Sequence, residues 1–137
     1  MNRYVTLTNA GSLDAKNLTM KIDATGSQAL ITDGTSPSNT KALKVAVTAC
    51  SQAWTTGTGV CGGTTSQLLS STTIGSLSTA ATLHTNSVSA GAAQYLQVSL
   101  QLPDQNETTI NGTLPANTIQ GLSADLTYTF AEVQRTA

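Results

Sequence analysis

The sequence predicts an all-β domain, a β-sandwich or jelly roll. Three observations carry that expectation. Apolar and polar residues alternate with period two in five separate segments. Small hydroxyl residues, 25 Thr and 14 Ser among 137, fill most of the alternate positions. Gly, Asn, Asp and Pro punctuate the intervals between the segments. Threonine is β-branched and suits a pleated surface better than a helix.

The elements follow in chain order. Val5 and Leu7 share one face of Tyr4–Thr8, and Asn9-Ala-Gly11 is the turn after it. Leu18, Met20 and Ile22 share a face of Asn17–Asp23, which ends at Ala24-Thr-Gly26. Thr32–Pro37 reads as an exposed loop. Leu43, Val45, Val47 and Ala49 line one face of Lys41–Cys50. Glycines then crowd around Cys61, and Gln67–Leu83 admits two readings: a short strand plus a loop, or a helical turn at Thr65–Ser70. Leu96, Val98, Leu100 and Leu102 line Ala93–Leu102, which Pro103 terminates because it cannot donate to a ladder. Asp104–Gln120 has too little pattern to assign beyond a loop carrying a short helix or turn. Leu126, Tyr128 and Phe130, with Tyr128 expected in the core, line the last segment, Ser123–Ala131. No repeat, linker or composition break divides the chain, so residues 1–137 are expected to form one domain with room for a real core.

Composition excludes several classes. Charged residues are 9% of the chain and the formal net charge is -1, so nothing suggests nucleic-acid binding. The same low charge, with 39% hydrophobic residues, argues against disorder. No apolar run approaches the roughly 18 residues of a membrane span, and no N-terminal apolar region marks a signal peptide.

Catalytic constellations are not visible. A zinc site of the HExxH type needs two histidines on one helical face, and the chain has only His84, read as a surface or loop residue. Nothing marks one of the fourteen serines as a nucleophile, and no GxSxG elbow occurs. The seven acids show no favoured pair. Asp33-Gly34 sits in a loop with one acid, too few for a calcium site. Three matches to the glycosylation sequon, at Asn17, Asn106 and Asn111, are expected by chance in so threonine-rich a chain. The sequence therefore predicts no enzyme, no metal and no cofactor.

Cys50 and Cys61 flank the turn-rich segment Ser51–Val60. In an exported protein these two would form a disulfide, adding roughly 2–3 kcal/mol. The alternative is a pair of buried thiols in a cytosolic protein. The hydroxyl-rich, charge-poor composition favours export and the disulfide. Trp54, the single tryptophan, lies inside this loop. It is either a platform for stacking sugars or, as favoured, a ring packed against the disulfide over one edge of the core.

Two stretches resemble a known family. They are Arg3-Tyr-Val-Thr-Leu-Thr-Asn-Ala-Gly-Ser-Leu-Asp-Ala-Lys-Asn-Leu-Thr-Met20, and Leu96-Gln-Val-Ser-Leu-Gln-Leu-Pro-Asp104 followed by Gln120-Gly-Leu-Ser-Ala-Asp-Leu-Thr-Tyr-Thr-Phe-Ala-Glu-Val-Gln-Arg135. Both are similar to the TasA/camelysin family of exported bacterial proteins, and the cysteine loop with its tryptophan resembles the actinobacterial-looking subgroup. The resemblance implies a secreted, jelly-roll-like β-sandwich that polymerises into extracellular or biofilm-matrix fibres, an N-terminal strand of one subunit completing the sheet of the next. It also implies contact with the cell surface or matrix. The metallopeptidase activity given to some members is not carried over, because one histidine supplies no ligand set. Family members carry a signal peptide, a strand and a turn before the strand matching Arg3–Asn9. Here Met1 and Asn2 precede it directly, so the resemblance implies a donor strand upstream of this sequence.

Strand accounting points to the assembly edge. A sandwich short of one strand leaves unpaired backbone groups beside uncovered core, and an exposed edge is a template for another chain. Lys41 and Lys44 are expected to guard one strand, while Tyr4–Thr8, Ala93–Leu102 and Leu126–Phe130 carry no such device. The predicted edge is Tyr4, Val5, Thr6, Leu7 and Thr8, and the predicted partner is a second copy of the chain. Strand exchange would use Asn2–Asn9 or Val133–Ala137. Otherwise the monomer would keep an exposed groove. A carbohydrate- or surface-binding sandwich is the alternative function, and it would rest on a thin supply of aromatics, Trp54 with Tyr4, Tyr95 and Tyr128, of which Tyr128 is expected in the core.

Overall fold

A computed structural model describes residues 1–32, 42–103, 112 and 121–134. Nine strands occur among them: β1 Asn2–Thr8, β2 Ala15–Gly26, β3 Lys44–Cys50, β4 Trp54–Thr55, β5 Val60–Cys61, β6 Thr65–Thr73, β7 Ala81–His84, β8 Ala93–Gln101 and β9 Ala124–Gln134. One helical turn, α1, covers Gln28–Ile31, and a 3-10 helix covers Ile74–Ser78.

Every pairing is antiparallel. A four-stranded sheet has the order β1-β8-β3-β6, a three-stranded sheet the order β7-β2-β9, and β4 and β5 form a separate hairpin. The first two sheets make the sandwich. The period-two pattern explains which face of each is buried. Leu18, Met20 and Ile22 of β2 meet Val45 and Val47 of β3 and Leu96 and Val98 of β8 in one cluster, all at most 1% exposed. Each such side chain contributes roughly 1.5–3 kcal/mol by leaving water.

One side of the sandwich is closed by the chain itself. The 3-10 helix carries β6 over to β7. In a 3-10 helix residues i and i+3 eclipse, so Ile74 and Leu77 share a face, and both are buried in the core cluster. Gly75 allows the close fit: a Cβ there would lie 2.6 Å from the Ile31 carbonyl oxygen. The turn after β1 is held by Asn9, whose side-chain amide donates to the carbonyls of Leu13 (2.8 Å) and Val88 (3.0 Å). Its Oδ1 accepts from the Gly11 amide.

Several expectations need correction. Of the two readings left open at Thr65–Ser70, strand and helical turn, the strand is the one present, because β3 offers a ladder from Cys50↔Thr65 to Lys44↔Thr73 that is interrupted only by register shifts on either side of Val47. Leu102 lies beyond β8 and is 52% exposed. Both β3 and β8 are interior strands, so Ala93–Leu102 offers no free edge and Lys44 guards none. Its ammonium donates to Thr73 Oγ1 on the neighbouring strand. His84 ends β7 instead of lying in a loop. Lys41, Asp33–Pro37, Asp104–Gln120 apart from Gly112, and Arg135–Ala137 lie outside the described residues.

Candidate functional site

The two free edges that matter face each other. Among the described residues, β1 pairs only with β8 and β9 only with β2. β1 and β9 flank the side opposite the 3-10 helix. Two hollows run between them. One, of about 430 Å³, is lined by Met1, Arg3 and Leu100 together with Ala124–Leu126 and Tyr128. The other, of about 240 Å³, lies between Thr6–Thr8 and Phe130–Glu132, with Leu18 at its base. The start of β1 thus lies by the start of β9, and the end by the end: the two strands run in the same direction on opposite sheets.

Register shows which backbone groups of β1 are free. Met1 and Leu100 exchange both backbone bonds, at 2.9 and 2.8 Å, and the Asn9 amide donates to Ala92. Antiparallel ladders alternate bonded and non-bonded pairs. With partners running from Asn2↔Ser99 to Thr8↔Ala93, the bonded positions are Arg3, Val5 and Leu7. Asn2, Tyr4, Thr6 and Thr8 therefore turn their N–H and C=O groups to the free edge. The predicted edge residues divide accordingly. Tyr4, Thr6 and Thr8 present backbone outward, while Val5 and Leu7 pack against the core.

The inner faces of the open side are apolar in the middle: Val5 and Leu7 from β1, and Leu126, Tyr128 and Phe130 from β9, all half-buried against the core. This agrees in part with the expected core position of Tyr128. Burial pushes its phenol above the ordinary tyrosine value, and the charge of Arg3 pulls it partly back. Arg3 pairs with the inward-facing Val98 and so points inward too. Near the other end, Gln94 of β8 donates to Glu132 of β9 at 2.5 Å and contacts His84 Nε2 through its Oε1. Because that oxygen can only accept, Nε2 carries the proton, and Nδ1 is buried without a hydrogen-bond partner among the described residues.

The cysteine loop occupies a different surface. Cys50 and Cys61 are disulfide-bonded with Cα atoms 5.8 Å apart, a separation usual for such a bridge. The bond ties hairpin β4–β5 to the end of β3. The hairpin leans over the outer face of the four-stranded sheet. The Trp54 indole N–H donates to the Tyr95 carbonyl at 3.2 Å, and its ring lies 5.8 Å from that of Tyr4. Gly59 (φ 69°) comes so close that a Cβ would sit 2.8 Å from the Tyr4 hydroxyl, and Gln97 Nε2 donates to that same hydroxyl at 3.3 Å. Trp54 therefore packs on the outside of a sheet and is absent from the core cluster. The expectation that it covers a core edge is corrected: the rings of Trp54 and Tyr4 come together, and Tyr95 takes part through its backbone carbonyl.

Sequence reasoning missed the Gln94–Glu132–His84 chain. The only signal available was a Gln in register with the apolar Leu96 and Val98, a polar residue at an inward position. It also missed that Arg3 and Glu132 are inward charges, a recognised device on sheet edges. No helix is long and apolar enough to cross a membrane among the described residues. Set against protein-family models, curated proteins and solved structures, the chain matches none.

Proposed function

We propose that the protein is a structural subunit of a secreted, extracellular fibre of the TasA/camelysin type. In this reading it is a non-enzymatic, jelly-roll-like sandwich that assembles by strand addition between copies. The observation that supports the reading is the open side between β1 and β9. There, four residues of β1 offer free backbone groups beside the apolar side chains of Val5, Leu7, Leu126, Tyr128 and Phe130. An added strand would gain main-chain hydrogen bonds along the edge and register from alternate side chains. The exported, oxidising setting is supported by the Cys50–Cys61 bridge.

The test is electron microscopy and analytical ultracentrifugation of the concentrated wild-type protein. Filaments or a concentration-dependent ladder of oligomers are expected. A monomer at every concentration, with amide exchange at Tyr4, Thr6 and Thr8 slowed to the rate of interior strands, would overturn the reading.

A further inference from the structure

The outer face of the four-stranded sheet is organised around the cysteine hairpin in a way that strand addition does not require. Register places Tyr4, Gln97, Thr48 and Gln67 side by side, one from each of β1, β8, β3 and β6. The next row carries Asn2, Ser99 and Ala46. Ser99 and Ala46 are small, so the floor there is low, while Trp54 and Tyr4 rise beside the row as an aromatic wall. Trp54, Tyr4, Gln97, Thr48, Ser99 and Ala46 are all half-buried and so keep part of their surface accessible, and Gln67 is exposed. The wall is held in place on three counts. The Trp54 indole N–H is committed to the Tyr95 carbonyl, the Tyr4 hydroxyl sits against Gly59 and Gln97, and the disulfide anchors the hairpin.

The chemistry of this shelf selects its occupant. Aromatic faces accept the C–H side of a pyranose ring, and amides and hydroxyls on a pleated surface exchange hydrogen bonds with its hydroxyls. Strands stand about 4.8 Å apart, close to the length of one hexose unit, so a four-strand row can serve successive sugars along a chain. Among the described residues, the only ionisable outward positions on this sheet besides the tyrosines are those of Lys44, at the far end of β3. The single Lys44 ammonium donates to Thr73 Oγ1 on the neighbouring strand, and a face with so little charge suits an uncharged ligand better than an anionic one.

The geometry points to a binding site for a neutral polysaccharide on this face, with Trp54 and Tyr4 as stacking residues and Gln97, Thr48 and Gln67 as hydrogen-bonding ones. The site is independent of the fibre reading, because the free backbone edge of β1 lies at the rim of the sheet and not on its face.

Because Trp54 is the only tryptophan, its fluorescence reports on this site alone. The test titrates the intact protein with soluble neutral glucan and mannan oligosaccharides, with oligogalacturonate as the anionic control, and adds retention on insoluble glucan. A saturable change in Trp54 emission with at least one neutral series is expected, with none from the anionic one. Thr48→Lys and Gln97→Ala should each weaken binding about tenfold, with melting temperature and filament formation close to wild type. No emission change and no retention with any neutral glycan would overturn the proposal. So would undiminished binding by both variants, or a response to the anionic series alone. Filament formation by Thr48→Lys is scored separately, so a failure of assembly is distinguishable from a failure of glycan binding.

Discussion

Gln94 and Glu132 join the two sheets by a side-chain hydrogen bond of 2.5 Å. The donor stands on β8, the acceptor on the edge strand β9, at a level where the neighbouring inward positions are apolar. Bonds to a charged group are stronger than neutral ones, roughly 1.5–3 kcal/mol when desolvated. Both residues here are half-buried, so the lower end applies. Gln94→Ala is expected to cost about 1–1.5 kcal/mol in urea unfolding. A double-mutant cycle with Glu132→Ala should show that the two losses do not add. Additive losses would mean the pair contributes nothing jointly.

Two neighbouring prolines should behave oppositely. Thr6 turns its N–H to the free edge, so Thr6→Pro removes no bond to β8, and proline is tolerated on edge strands in that orientation. Val5 donates inward to the ladder, so Val5→Pro breaks a pairing with Leu96. On the proposed assembly, the expected outcome is a folded Thr6→Pro protein that forms no filaments, and a Val5→Pro protein destabilised by about 3 kcal/mol or more. Melting curves with electron microscopy on both variants check it. Equal destabilisation would mean the assigned register is wrong.

Tyr128 links the open side to alkaline stability. Its folded-state value is raised, chiefly by burial, so the fold prefers the neutral phenol. That contribution is complete below the unfolded value of about 10. It is lost as pH rises through the higher value in the folded chain. Stability should therefore fall above about pH 10, and Tyr128→Phe should flatten that fall. Arg3→Ala should steepen it, since Arg3 stabilises the phenolate. Urea midpoints from pH 8 to 11.5 read the effect, and identical slopes in all three proteins would refute it.

Reducing the disulfide should loosen Trp54 before it melts the core. Trp54 is the strand partner of Cys61, whereas the core cluster draws on other strands. A dithiol reductant is expected to red-shift tryptophan emission while the β-sheet circular dichroism persists, and to lower stability by about 2–3 kcal/mol. An unchanged emission maximum after confirmed reduction would show that the hairpin holds without the bridge.

What could be read from the sequence follows from the range of each interaction. Period two is local, so the buried faces of β2, β3, β8 and β9 were legible in runs such as Leu18, Met20 and Ile22. Strand order is not local. Nothing in Ala93–Leu102 says that β1 and β3 flank it, and an interior strand as free of charge as an edge one looks the same in sequence. Thr65–Thr73 was ambiguous because its two central residues, Leu68 and Leu69, break the alternation. The structure accounts for this with a register shift between Val47 and Thr48, opposite that pair. The disulfide was legible from spacing and composition. The outward packing of Trp54 was not, because it depends on Tyr4, fifty residues earlier in the chain.

The parallel course of β1 and β9 has a directional consequence. Arg3 stands on the inner face near one end of the open side, and Glu132 near the other. A strand threaded between them meets a cation first or an anion first, depending on which way it enters, so the two directions are not equivalent. Any copy-to-copy chain built through this side inherits that inequality at every joint. Its two tips differ chemically, and growth at one need not match growth at the other.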